Sequence, residues 1–372
     1  MRFLLDDEQR EFARSLDGML TAADTPGAVR AWAAGDTAPG RALWTRLAEA
    51  GVFALAVPER HDGLGLLPLE LAVAFTELGR HAVPGPLVET VAAAALLGRL
   101  AGGGGDEGAV DEGRAVGGGS EGARVGGSGV GGTSVDGPGV GGSGLDEAAV
   151  AWLPQIAAGK AVVSLCVPAA GSPYALDADA ADAVLVVEGD TVRLAAASGP
   201  VQPSADPARR LARPLGGSVL ARGPAVTAAA MYAAEVAALA TAAQCLGLGR
   251  ALLDRTVAYV GQRTQFGVAI GSFQAVKHRL ADTLIALEFA QPLLHSAALA
   301  LAEGAEHGAA EVAAAKVTAG EAAYAAARTA LQLHGAVGYT EELDLALWIR
   351  KARPLRDAWG TPAACRARVL GS

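Results

Sequence analysis

Cysteine is scarce in this chain of 372 residues, with Cys166, Cys245 and Cys365 the only three. Their odd number, wide spacing and lack of any CxxC pair exclude a disulfide framework and offer no zinc site. Basic charge is short as well: 30 Lys and Arg against 39 Asp and Glu leave a formal charge of −9. A nucleic-acid binder would carry a basic stripe, so no nucleic-acid partner is expected. No apolar run reaches about 18 residues without a charge, proline or glycine, and no membrane span is expected. Met1 to Leu5 leads straight into Asp6, Asp7 and Glu8, which leaves no room for a secretory core. A reducing cytoplasm is the simplest compartment.

Aromatic side chains are missing, and large aliphatic ones nearly so, from residues 102–145, where Gly, Val, Ser, Ala, Asp and Glu dominate. Such a stretch cannot bury enough apolar surface to offset its ordering entropy, and a flexible insertion is expected there. Gly139 to Gly144 fits GxGxxG and Gly118 to Gly122 fits GxSxG, but neither follows a strand that could present it. Composition alone generates both matches. The chain on either side is long enough for two or three packed units.

What is present falls into three regions. Residues 1–101 read as helices, with Phe12, Leu16, Met19 and Leu20 at helical spacing, then Leu43, Trp44, Leu47 and Ala48 ahead of a stop at Gly51. Leu69 to Leu78 forms a further helix with Glu70 and Glu77 outward, and residues 146–160 supply the last helix of this region. Between 161 and 222, Ala161 to Val167, Ala183 to Glu188 and Thr191 to Ala195 are β-branched runs bounded by Gly, Pro and Asp, and predict a small antiparallel barrel. From 223 to 372 alanine-rich helices over about 224–262, 273–303, 308–334 and 341–353, joined by short loops, predict an antiparallel four-helix bundle.

The polar interruption Arg263-Thr264-Gln265-Phe266-Gly267, followed by Phe273-Gln274-Ala275-Val276-Lys277-His278, carries the chemistry. An arginine at a helix end is ordinarily a solvated cation favoured by the helix dipole. A guanidinium also clamps phosphate bidentately, and an aromatic ring beside it lies against a heterocycle. Gln332-Leu333-His334-Gly335-Ala336-Val337-Gly338-Tyr339 offers a second polar turn. It reads as a helix cap, or as a backbone that approaches a phosphate closely through Gly335 and Gly338. His334, His278 and the cysteines form no recognisable nucleophilic triad.

These segments closely resemble the RxQFG…FQAVKH and QxxGGxGY motifs of the FAD-dependent acyl-CoA dehydrogenase family. Trp44 to Gly51, Val57-Pro58-Glu59, Gly63-Leu64-Gly65 and Glu77 to Arg80 resemble its N-terminal domain in the same order. The resemblance spans nearly the whole chain apart from 102–145. It implies an α+β multi-domain fold with an N-terminal α-helical domain, a middle β-barrel and a C-terminal four-helix bundle. By the same resemblance Arg263, Gln265, Phe266, Gln274, Gln332, Gly335, Ala336, Gly338 and Thr361 would contact FAD across a subunit interface. Ala336 stands where a second glycine is usual. Cys166 to Ser172 sits where relatives carry a TEPxAGSD-like turn, of which Gly171-Ser172 is kept.

The family's reaction needs a carboxylate to take the α-proton of an acyl thioester while hydride passes to the flavin. The two usual seats are here Trp359 and Ala237, neither of them acidic, and Ala238 stands where an arginine holds the CoA nucleotide. Asp357 and Glu235 are the nearby candidates. Glu235 lies two residues from its seat, which turns a helical side chain by about 200°. Asp357 has ion-pair partners in Arg353, at (i, i+4), or Arg356. The expected function is FAD-dependent dehydrogenation of an acyl-CoA or other acyl thioester, with an electron-transfer acceptor and a homo-oligomer or mixed oligomer. The alternatives are a catalytically incomplete subunit of a mixed oligomer and a non-oxidative biosynthetic use of the fold.

Overall fold

A computed structural model describes residues 5–102 and 143–371. The expected flexible insertion and the two glycine-rich matches inside it lie almost wholly outside the described residues. The N-terminal region consists of α1 (Asp7–Thr21), α2 (Thr25–Ala33), α3 (Ala38–Glu49), α4 (Pro68–Arg80) and α5 (Leu87–Gly102), with α6 (Ser143–Ala157). Local chemistry sets their starts. Asp6 and Gln9 form a reciprocal capping box on α1, and Asp24 caps α2 ahead of Pro26.

The strand runs appear as β1 (Val163–Cys166), β3 (Ala183–Glu188) and β4 (Thr191–Leu194), with β2 (Ala175–Leu176), β5 (Ala197–Ser198), β6 (Leu211–Ala212), β7 (Pro214–Leu215) and β8 (Ser218–Arg222) between and after them. The expected antiparallel barrel is realised as an open four-stranded sheet in the order β1-β3-β4-β8, flanked by the ribbons β2-β6 and β5-β7. Its first pair, β1 and β3, runs parallel. Parallel pairing needs a long return connection, which residues 167–182 supply. Two-residue alternation sorts β3 between two cores. Leu185 and Val187 join the main core, while Val184 and Val186 pack with Cys166, Ala175 and Ala212.

The C-terminal region opens with α7 (Pro224–Gln262), then β9 (Thr264–Gln265) and β10 (Val268–Ala269), α8 (Gln274–Ala302), α9 (Gly308–His334), α10 (Leu345–Asp357) and α11 (Pro362–Leu370). The fourth bundle helix starts at Leu345 rather than 341 and runs through Pro354, and α11 is a further helix that the sequence reading passed over. Small residues let α7 lie against α4: a Cβ on Gly247 would come 1.8 Å from the Thr76 carbonyl oxygen, and one on Gly79 2.1 Å from that of Gln244.

By length and apolarity alone α7 and α8 match membrane helices, but the apolar window of α7 is 94% buried inside the fold and that of α8 only 44%. The open side of α8 carries Ile285, Phe289 and Leu293, exposed and at i, i+4, i+8 on one face, and Leu284 is exposed beside Ile285. Glu77 departs from its expected outward place. It is half-buried beneath Arg80 and Asp17, its Oε2 has no hydrogen-bond partner, and burial pushes its carboxyl up to about 7.

Candidate active site

The turn between α10 and α11 organises the site. Trp359 takes a left-handed φ of 52°, Gly360 follows at 130°, and Thr361 caps α11 by accepting from Ala364 N at 3.3 Å. An indole at positive φ is uncommon and needs surrounding structure to hold it. Two buried groups do so. Lys316 of α9, 1% exposed, donates to the Arg356 carbonyl at 2.7 Å and the Gly360 carbonyl at 3.3 Å. Burial lowers its pKa, while the two carbonyl oxygens satisfy its ammonium. Glu89 of α5, 3% exposed, accepts from the Trp359 indole Nε1 at 3.0 Å.

Three cavities meet at this indole. One of about 310 Å³ is lined by Cys166, Gly171, Ser172, Arg209, Asp357 and Thr361, with Glu89 and Trp359. One of about 600 Å³ runs along α7 past Ala230, Met231, Ala234 and Ala238 to Asp190 and Arg368, and shares Val167, Ala170 and Trp359 with the first. The third, about 30 Å³, lies deeper between Glu89, Asp177, Arg209, Thr241, Gln244 and Lys351. Asp177 is fully buried there and its carboxyl is pushed up to about 8, chiefly by burial.

Of the two carboxylates nearest the expected seats, Asp357 faces the 310 Å³ cavity and accepts from Arg356 Nε at 3.0 Å, one of its two anticipated partners. Glu235 is engaged with Arg368 Nη2 at 2.7 Å and is not part of the 600 Å³ cavity wall. Ala237 is fully buried in the α7 core. Sequence reasoning missed Glu89, Lys316 and Arg209. Glu89 left one trace: it is the sole charge in the run from Leu87 to Gly98, which is apolar apart from Glu89 and Thr90.

The other anticipated contacts gather elsewhere. Arg263, Gln265 and Phe266 are exposed in the α7–α8 loop and Gln274 is exposed at the start of α8, with Phe266 92% exposed, at φ 53° and edge-on to Phe273. Gln332, Gly335, Ala336 and Gly338 end α9 beside them, because the His334 ring stacks on Tyr259 at 4.0 Å one turn before Arg263. Gly335 has a φ of 64° and open space where a Cβ would stand. From Ala238 at the 600 Å³ cavity to Arg263, α7 rises about 1.5 Å per residue over roughly 25 residues, close to 40 Å. Thr361 belongs to the cavity end and Arg263 to the far end, so one chain does not bring all its expected cofactor contacts together.

Residues 6–109 match the N-terminal domain model of acyl-CoA dehydrogenase, and residues 227–370 its C-terminal domain model. The chain belongs to the acyl-CoA dehydrogenase family. It is 30% identical over 351 residues to acyl-CoA dehydrogenase IpdE2 of Mycobacterium tuberculosis, an alignment that covers 93% of this chain and 91% of that protein. Its fold matches butyryl-CoA dehydrogenase of Megasphaera elsdenii with a TM-score of 0.75 at 19% identity, covering 100% and 99% of the two chains. It matches the ChsE4-ChsE5 complex of Mycobacterium tuberculosis with a TM-score of 0.74 at 22% identity, covering 100% and 98%.

Acyl-CoA dehydrogenases are oxidoreductases that act on CH–CH bonds and bind FAD. The residues present fit that cofactor. Arg263 carries no ion pair among the described residues, the positive-φ turns at Gly267 and Gly335 leave room for a close backbone approach, and the 310 Å³ cavity has a polar rim at Ser172, Arg209 and Thr361.

Proposed function

We propose that this chain catalyses FAD-dependent dehydrogenation of an acyl-CoA to its α,β-unsaturated thioester, as one member of an oligomer. The observation that carries this reading is the pair of cavities joined at Trp359, one rimmed by polar groups and one walled by the small apolar side chains of α7. The larger holds the acyl thioester, with Asp190 and Arg368 as polar groups in its wall. FAD, when bound, supplies the hydride acceptor. The protein's part is to hold the turn, exclude water and move a proton. Lys316 fixes the turn, and the Trp359 indole closes the junction of the cavities. Arg263, Gln265 and Gln332 of a neighbouring chain hold the phosphate and adenosine half. A separate electron carrier reoxidises the cofactor.

A second reading is favoured by one observation: Trp359 and Ala237 occupy both seats at which the family resemblance puts the base. Under it, the chain is the partner of a related subunit that carries the carboxylate. Purification of the chain alone, followed by anaerobic addition of butyryl-CoA and octanoyl-CoA, separates the two. Bound flavin that bleaches supports dehydrogenation by this chain. Bound flavin that stays oxidised, with bleaching only after a related subunit is added, supports the second reading.

A further inference from the structure

Trp359 lines all three cavities, and the space on its two sides is unequal. Behind the indole the 600 Å³ cavity follows one face of α7 from Thr227 through Met231 and Ala234 to Ala238, about 16 Å of helical rise. Its open end is at Thr227. There the Asp190 carbonyl accepts from Gly223 N at 2.8 Å, and Met231 is exposed. Its closed end is at Ala238, where it meets the 310 Å³ cavity at Val167, Ala170 and the indole. Ahead of the indole only the 30 Å³ space remains, beside Thr241 of α7. That volume holds about two or three waters, at 10–15 Å³ each. Glu89, Asp177, Asp206, Arg209 and Lys351 border it, so an alkyl chain entering it would desolvate polar groups and give nothing back. The ring is also pinned. Its N–H donates to Glu89 Oε1 at 3.0 Å, and Lys316 holds the Arg356 and Gly360 carbonyls on either side of it in sequence. Swinging the indole aside would leave the Glu89 oxygen buried without its donor.

We propose that the Trp359 indole is the stop that sets acyl length, and that this chain takes short acyl-CoAs, of about four carbons, because the space past the ring admits waters and no methylenes. The proposal names the substrate class within the dehydrogenase reading and rests on it. The pantetheine arm enters from the open end and occupies the length of α7 between Thr227 and Ala238. Cα and Cβ then reach the junction with the 310 Å³ cavity, the only place where the two spaces meet, and carbons beyond Cβ run into the ring. Butyryl brings a single carbon beyond Cβ. Octanoyl brings a tail for which no apolar space lies ahead.

The test uses butyl-, hexyl- and octyl-CoA thioethers, which have no carbonyl, are not oxidised and report binding alone. Calorimetric titration of the flavin-loaded wild type should show no gain in affinity beyond butyl. Trp359→Ala removes the ring and should restore the ordinary gain of about fourfold per buried methylene from butyl to hexyl. Trp359→Phe, which keeps a ring, should fall between the two. Flavin content and melting temperature establish that each variant folds, and the wild-type series decides on its own if one does not. A wild-type affinity that climbs about fourfold per methylene through octyl overturns the proposal, as does a folded Trp359→Ala that keeps the wild-type plateau. Absence of binding by all three thioethers overturns the cavity as a thioester site and the proposal with it. Octanoyl-CoA that bleaches the wild-type flavin as fast as butyryl-CoA sinks the length limit and leaves the dehydrogenase reading intact. A plateau at butyl that Trp359→Ala lifts, with no bleaching by butyryl-CoA, does the reverse.

Discussion

Lys316 shows how a single buried charge sets the geometry of the site. An ammonium away from water is tolerated because the carbonyls of Arg356 and Gly360 receive its protons, and those same bonds hold the turn that carries Trp359. Lys316→Met should lower stability by about 1–3 kcal/mol, because two acceptors lose their partner. It should also weaken flavin retention, and denaturant titration with flavin absorbance reads both. Glu77 gives a pH signature. Its folded carboxyl titrates at about 7, above the ordinary value of 4.5. The folded state therefore binds the proton more tightly, so this contribution is fully present below about 4.5 and is lost as pH rises through 7. Glu77→Gln should flatten the fall of melting temperature between about pH 5 and 8, and an unchanged slope would remove Glu77 as its cause. At this scale the sequence was legible where register carried it, as at Trp359 ahead of Gly360-Thr361. It was opaque where tertiary contact decides, since nothing in Leu87-Val88-Glu89-Thr90 names an indole 270 positions away as the partner.

Among the elements, helices were the most readable, because alanine-rich sequence with short loops leaves few other ways to bury it. The limits of α7, α8 and α9 fall within about two residues of the spacing-based expectation. The sheet was read strand by strand but not in its pairing. The β3–β4 hairpin closes at Gly189-Asp190, a local connection, whereas the parallel β1–β3 contact depends on where residues 167–182 return the chain. Close packing of α4 on α7 depends on glycine at two points of backbone contact. Gly247→Ala would place a methyl group against a carbonyl oxygen that cannot rotate away. A loss of about 1–3 kcal/mol is expected in chemical denaturation, as for other overpacked cores. A neutral result would mean that the two helices separate freely.

The whole molecule is organised around a separation of nearly 40 Å along α7, by the helical rise, between the Trp359 cavities and the Arg263 cluster. Sequence motifs identified both ends but not their distance apart, because register says nothing of which copy a residue serves. The exposed apolar face of α8 lies next along the chain from the Arg263 loop and offers a surface for another subunit. Phe289→Asp should therefore shift the assembly to smaller species in analytical ultracentrifugation and release flavin with it. The most direct test of a cofactor site divided between chains is complementation. Arg263→Ala impairs the distal half, and Ala170→Trp fills the wall shared by the two larger cavities. Each variant alone should bind little flavin, and mixing them after dissociation should restore binding, since every mixed interface contains one site with both halves intact. If the mixed sample binds no more flavin than its parts, each chain builds its own site and the account fails.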